Sequence, residues 1–140
     1  MKEPKQEQII EEFAIFDDWL DKYNYLIELS ADLPLIASEH RTDNYIIKGC
    51  QSRVWVDSSI DKQGCMHFTA DSDAIITKGI IALLIRVMDG MTPQEVLESE
   101  LYFIDKIGLG ENLSPTRANG LVAMIHQMKL YAMAFNAQKQ

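Results

Sequence analysis

A chain of 140 residues is long enough for one domain around a single core, and 47% hydrophobic against 24% charged residues is an ordinary globular balance. The formal net charge of −8 is weighted to the front: residues 1–40 hold ten acids and three bases, residues 41–100 nine and six, and residues 101–140 two and four. That acidity argues against nucleic acid and anionic membrane surfaces as partners.

The start, "MKEPKQEQIIEEF", alternates charges and has no apolar stretch of the kind that directs export. The most apolar run, "AIITKGIIALLIRVM", is too short to span a membrane and is interrupted by Lys78 and Arg86. Two cysteines without an export signal point to a reducing, cytoplasmic setting, although a Cys50–Cys65 disulfide stays open as an alternative. Residues 1–140 read as one domain, with no repeats, low-complexity tracts or linker.

Taken in chain order, the first pattern is helical. Ile9, Ile10, Phe13 and Phe16 recur at helical spacing, and so do Trp19, Leu20, Tyr23, Leu26 and Ile27, with a break and new start at Asp17-Asp18. Pro34 closes this region. The period then changes to two. Along "RVWVD", Val54 and Val56 face one way and Trp55 the other, and Met66 and Phe68 alternate with Cys65, His67 and Thr69. "DKQG" at 61–64 supplies the turn between these strands, and "NYIIK" upstream is read as a third strand. Connections this short require an antiparallel sheet.

Helix is expected again from about Asp73, with Asp71 or Ser72 as cap, through an almost wholly apolar segment that ends at Gly90. "TPQE" at 92–95 is a capping box with proline at the first helical position. "SPTR" at 114–117 repeats that logic before a last helix that buries Leu121, Met124, Ile125, Met128 and Phe135. "GLG" at 108–110 lacks a third glycine and a preceding strand, so it joins helices and cradles no phosphate. Helices, a small three-stranded antiparallel sheet and further helices make an α+β domain.

The chemistry-bearing candidate is "KGCQS" at 48–52. Gly49 permits a backbone that other residues resist and lets another molecule approach closely. Lys48 and Arg53 are near enough in sequence to lower the Cys50 thiol pKa. A small packed residue is the commoner role of a free cysteine, and both roles stay open on local features. Cys65 and His67 form a C-x-H pair which, with Cys50, His40 or His126, sketches a zinc site, but the spacing fits no standard module and plain strand packing is preferred. A Cys-His hydrolase would need one of those three histidines beside Cys50 in space, and none lies in a catalytic motif. Arg117 opposes the helix dipole in the first turn of the last helix, so it either serves a contact elsewhere or is simply solvated.

Four blocks together resemble the SufE family of sulfur-acceptor proteins. "DDWLDKYNYLIELSADLP" (17–34) is similar to its N-terminal signature, and "NYIIKGCQSRVW" (44–55) to its central motif around G-C-Q-S-x-V-W. "ADSDAIITKGIIALL" (70–84) and "LSPTRANGLVAMI" (113–125) are similar to its later helices. The resemblance implies a fold shared with the U-type cluster scaffolds and a protein without independent turnover. It implies that a SufS-like, pyridoxal-phosphate-dependent cysteine desulfurase binds this chain and is stimulated by it, passing sulfane sulfur to Cys50 as a persulfide. The sulfur then moves toward iron–sulfur scaffold proteins.

Pyridoxal phosphate belongs to the partner, and no cofactor or metal is expected on this chain, which is read as a monomer or weak homodimer. Gly49, Gln51, Ser52, Asp73 and Arg117 are assigned to partner binding, with Gln51 and Ser52 also offering donors to the sulfur. Cys65 departs from the family pattern and is read as strand packing in preference to a resolving thiol. Alternatives are a paralogue that feeds another sulfur pathway and, less favoured, the stand-alone Cys-His enzyme. A persulfide is easily lost to other thiols, so Cys50 is expected to be sheltered between encounters by Ile46, Ile47, Val54 and Trp55.

Overall fold

The structure, a computed structural model, describes residues 3–138. Helix α1 (Pro4–Ala14) starts at a proline with Glu3 as its cap, and α2 (Trp19–Leu29) starts at Asp18, whose carboxylate accepts from Asp21 N–H at 2.9 Å. The break expected at Asp17-Asp18 is therefore real, with the second aspartate satisfying an orphan donor of the new helix. Strands β1 (Val54–Ile60) and β2 (Met66–Ser72) form an antiparallel ribbon in which Val54 faces Ser72 and Ile60 faces Met66. Helix α3 (Ile75–Met88) follows, then the short α4 (Pro93–Glu98), α5 (Phe103–Lys106) and α6 (Leu109–Asn112), and the long α7 (Pro115–Gln138).

Helix α3 is the centre of the molecule. Only Ile75, Lys78 and Arg86 among its residues escape burial, and it packs on α1, α2, α7 and β2. Such a helix is apolar all round because it has no solvent face to present. Its contact with α2 is close enough that a Cβ on Gly79 would overlap the backbone carbonyl of Leu26. Glu12 of α1 pairs with Arg86 and accepts from Tyr25 Oη at 2.6 Å, tying α1 and α2 to α3.

Two expectations need correction. The sheet has two strands, not three. "NYII" contributes one antiparallel bridge, Ile46 to Trp55, with Ile47 N–H donating to Val54 O at 2.8 Å and Val56 N–H to Tyr45 O at 3.0 Å. The pairing goes no further because a turn closed by Tyr45 N–H on Thr42 O precedes it and Gly49, at φ +94°, turns the chain away after it. A matching parallel bridge from Leu35 to Ala70 lies on the outer edge of β2.

The cap of α3 is also different. Ala74 occupies the capping position without a side-chain bond, and Ser72 Oγ accepts from Ala74 N–H at 3.2 Å. Asp71 is engaged instead with Arg41 at 3.3 Å and Lys78 at 3.2 Å.

Burial alternates in β2 from Met66 to Ala70 and fails at the other end of the ribbon, where Trp55, Asp71 and Ser72 are buried with their neighbours. The Arg41 guanidinium lies over the Trp55 indole, 5.0 Å from its centroid, and the Ile46 bridge pairs the edge of the strand beside it. The last helix buries Leu121, Met124 and Met128 as expected, whereas Ile125 and Phe135 are only partly buried and Gly120 and Ala132 take the inner positions. Thr92 and Glu95 form the expected capping box, and Ser114 Oγ accepts from Arg117 N–H at 3.3 Å. No described helix is long and apolar enough to cross a membrane.

Candidate functional site

The six residues from Lys48 to Arg53 form a loop whose neck is the hydrogen-bonded pair Ile47 and Val54. At its exit, Arg53 N–H donates to Asp73 Oδ1 at 3.1 Å, while Arg53 O accepts from Asp73 N–H at 3.2 Å and from Ser72 Oγ at 2.7 Å. Asp73 thus fixes the base of the loop to the start of α3 and is not among the residues that surround the sulfur. At the loop's entry, Gly49 has a left-handed backbone that a side chain would strain, and a Cβ there would lie 3.5 Å from Ala123 Cβ on α7. The loop is therefore clamped at both ends and leans on the last helix.

Clamping aims the Cys50 thiol inward. Its Sγ donates toward Gly120 O at 3.6 Å, and both residues line a pocket of about 380 Å³. Walls come from three separated parts of the chain: Gln51 and Ser52 of the loop, Thr77 and Ile80 of α3, and Ser114, Thr116, Arg117, Gly120 and Met124 of α7 and its cap. Cys50 is half-buried, and residues of α3 and α7 line the pocket beside it while Ile46, Ile47, Val54 and Trp55 do not. Gln51 and Ser52 share the cavity with the sulfur, and the bond that Sγ makes runs to Gly120 O.

Half-buried as it is, the thiol has its pKa raised by desolvation. The expectation that Lys48 and Arg53 lower it is overturned, because burial is the cause that acts and neither cation offsets it. Burial thus disfavours the thiolate, the form that attacks.

Arg117 lies on the same cavity, and its guanidinium donates to Tyr23 Oη at 2.8 Å with its carbon 5.7 Å from that ring. A cation set against the dipole of α7 thus has a partner on α2. The histidines lie elsewhere. His40 is 3.0 Å from Asp57 and stacks on Tyr45, while His67 sits between Asp61 at 2.8 Å and Asp89 at 3.0 Å. Neither these nor His126 lines the thiol cavity, so the geometry gives Cys50 no imidazole base.

Both cysteines are free, and among the described residues no group of three or more His, Cys, Asp or Glu side chains is arranged to hold a metal. Cys65 precedes β2 at the turn end of the ribbon, whereas Cys50 precedes β1 at the other. Seven paired residues at roughly 3.3 Å each put about 20 Å between those ends, too far for a disulfide or a resolving thiol.

Gly120, Thr77, Ile80 and Met124 were not singled out as site residues from sequence. Gly120 carried a usable signal, since glycine inside a helix is unfavourable relative to alanine and often has a packing reason. Thr77, Ile80 and Met124 carried none, because they read as members of apolar helix faces.

The fold and the site define an α+β protein that carries a half-buried cysteine on a loop tied to the start of α3. Residues 7–132 match the SufE family model, described as an Fe-S metabolism associated domain, and the chain belongs to that family. It is also similar to the solution structure of a hypothetical protein from Thermus thermophilus, with a TM-score of 0.79 at 24% identity, over 98% of this chain and 99% of that one. That likeness concerns the fold.

Proposed function

We propose that this protein is a sulfur carrier that accepts sulfane sulfur on Cys50 from a cysteine desulfurase and delivers it to iron–sulfur cluster assembly. The observation that carries the reading is Cys50 itself, a thiol on a loop fixed at both ends and folded into a cavity large enough for more than one sulfur. The Cys50 thiolate attacks the terminal sulfur of the donor's cysteine persulfide. One S–S bond breaks as one forms, the donor cysteine leaves as thiolate, and no external oxidant is needed.

Burial disfavours the thiolate in the free protein, so in this reading the loop swings out and the proton leaves in the partner's active site. Pyridoxal phosphate stays with the desulfurase, and this chain contributes no turnover of its own. Gly49, Gln51, Ser52, Asp73 and Arg117, the loop and its surroundings, make the docking face, and the setting is the cytoplasm. A stand-alone Cys-His enzyme is disfavoured, since no histidine lines the thiol cavity.

Intact mass after incubation with a SufS-like desulfurase and L-cysteine tests the reading. The wild-type protein should gain one or more sulfur atoms, and Cys50→Ser should gain none. No gain on the wild-type protein would overturn it.

A further inference from the structure

Thr77 is the third residue of α3, and only 7% of its surface is exposed. It stands about one helical turn from the point where Asp73 holds the exit of the thiol loop. A threonine inside a helix often returns its hydroxyl to a carbonyl three or four residues back. The Thr77 hydroxyl does not, and it has no hydrogen-bond partner among the described residues. Polar groups nearby are occupied with one another: Ser72 Oγ with Arg53 O and Ala74 N–H, Asp73 with Arg53 N–H. No described polar side-chain atom is both fully sealed and unpartnered, so this hydroxyl keeps an opening. That opening is the pocket which Thr77 lines beside Cys50.

A buried donor without a partner favours a ligand that can accept. The terminal sulfur of a persulfide lies about 2.0 Å beyond Sγ and carries negative charge once ionised. Its formation removes the proton that Sγ now gives to Gly120 O, and that carbonyl repels the new charge. The sulfur is thus turned from α7 toward donors on the other walls. Gln51, Ser114, Thr116 and Arg117 are exposed, so each would exchange a bond to water for one to sulfur at little gain. Arg117 is also held by Tyr23. Thr77 has little access to water, and Ile80, three residues on along the same helix, keeps its side of the pocket apolar. A hydrogen bond to a charge is strongest in such a place.

We propose that the Thr77 hydroxyl binds the terminal sulfur of a Cys50 persulfide, donating to it inside the pocket, and so keeps that sulfur ionised and in place. This deepens the carrier reading and rests on it.

The test loads Cys50 from inorganic disulfide, without a desulfurase. The thiolate takes one sulfur from HS–SH and releases HS⁻, so one S–S bond breaks as another forms. Wild type is compared with Thr77→Val, which keeps the shape and removes the hydroxyl, and with Thr77→Ser, which keeps the hydroxyl. Two properties are read. One is the ionisation midpoint of the persulfide, from the ultraviolet absorbance of its anion, and the other is loss of terminal sulfur to cyanide as thiocyanate. Alkylation of the unloaded thiol by iodoacetamide is the control, since Sγ at rest bonds to Gly120 O and not to Thr77.

In Thr77→Val the midpoint should rise by about one pH unit, the tenfold change expected when a charged acceptor loses one donor. Thiocyanate should form at least about fivefold faster. Thr77→Ser should lose sulfur within about twofold of the wild-type rate, and the unloaded thiols of all three should alkylate within about twofold of one another. A Thr77→Val midpoint and rate that match wild type would overturn the proposal. So would equal losses from Thr77→Ser and Thr77→Val, which would assign the effect to packing. Faster alkylation of the unloaded Thr77→Val thiol would also overturn it, by showing a displaced loop. If the desulfurase fails to load wild type while the inorganic persulfide still responds to Thr77→Val, the carrier reading falls and the role of Thr77 stands.

Discussion

Two side chains make the molecule's proton chemistry readable. Cys50 is pushed up by burial and donates to Gly120 O, so ionising it in place would set an anion against a carbonyl oxygen. Alkylation of Cys50 in the free protein should therefore be slower than that of a small model thiol at pH 7.5, by at least tenfold. Its pH–rate profile should be displaced upward, and alkylation at the model rate would contradict the sheltering. The second is His67, whose two ring nitrogens each face a carboxylate, which favours the doubly protonated ring. Its pKa is raised, chiefly by the hydrogen bond to Asp61 and next by that to Asp89, while the pKa of Asp61 is lowered by the Cys65 N–H and then by His67.

The signs follow from linkage. A raised histidine contributes stability fully below its unfolded value, about 6.5, and loses it as pH climbs through the folded one. The lowered aspartate contributes above its own unfolded value and loses its share on acidification. Melting temperatures of wild type and His67→Gln should thus differ most near pH 6 and converge by pH 9, and a gap that widens with pH would refute the clamp. The KGCQS motif was legible as a chemical site because its identity is contiguous in sequence. The thiol's protonation was not, since Lys48 and Arg53 are near Cys50 in sequence and burial was set by α3 and α7.

Among the elements, the helices announced themselves through local chemistry: Asp18, Thr92 with Glu95, and Ser114 each satisfy donors within a few residues. The third strand was misread because period-two patterning says that a segment is extended, not how many partners it keeps. The central helix carries the sharpest element-scale expectation. Gly79→Ala gains about 1 kcal/mol of helix propensity, yet its methyl must enter the backbone of α2 at Leu26. Neither backbone can yield like a side chain. The variant should lose about 2 kcal/mol or more in urea denaturation, and unchanged stability would show that α2 and α3 separate freely.

At the scale of the whole molecule, the thiol cavity is a tertiary object, assembled from stretches near 50, 77 and 120. No window of sequence contains it, which is why the family motifs pointed to Cys50, Gln51, Ser52 and Arg117 but not to Thr77, Ile80 or Gly120 beside them. Thr77, Ile80, Gly120 and Met124 are buried and the loop residues beside Cys50 are not, so exposing Cys50 should need only a local opening. Its alkylation rate should hardly vary with urea well below the unfolding midpoint, because a loop opening exposes little new surface. A rate that climbs with the slope of global unfolding would mean instead that α7 must detach.

The bridge at Ile46 joins these scales. The residues just before the reactive loop are also those that cover the outer edge of β1. A swing confined to Lys48–Arg53 leaves that cover in place. One that peels Ile47 from Val54 bares a row of unpaired donors and acceptors, which can template another strand. The neck of the loop is thus a travel stop, marking the boundary between delivering a sulfur and inviting aggregation.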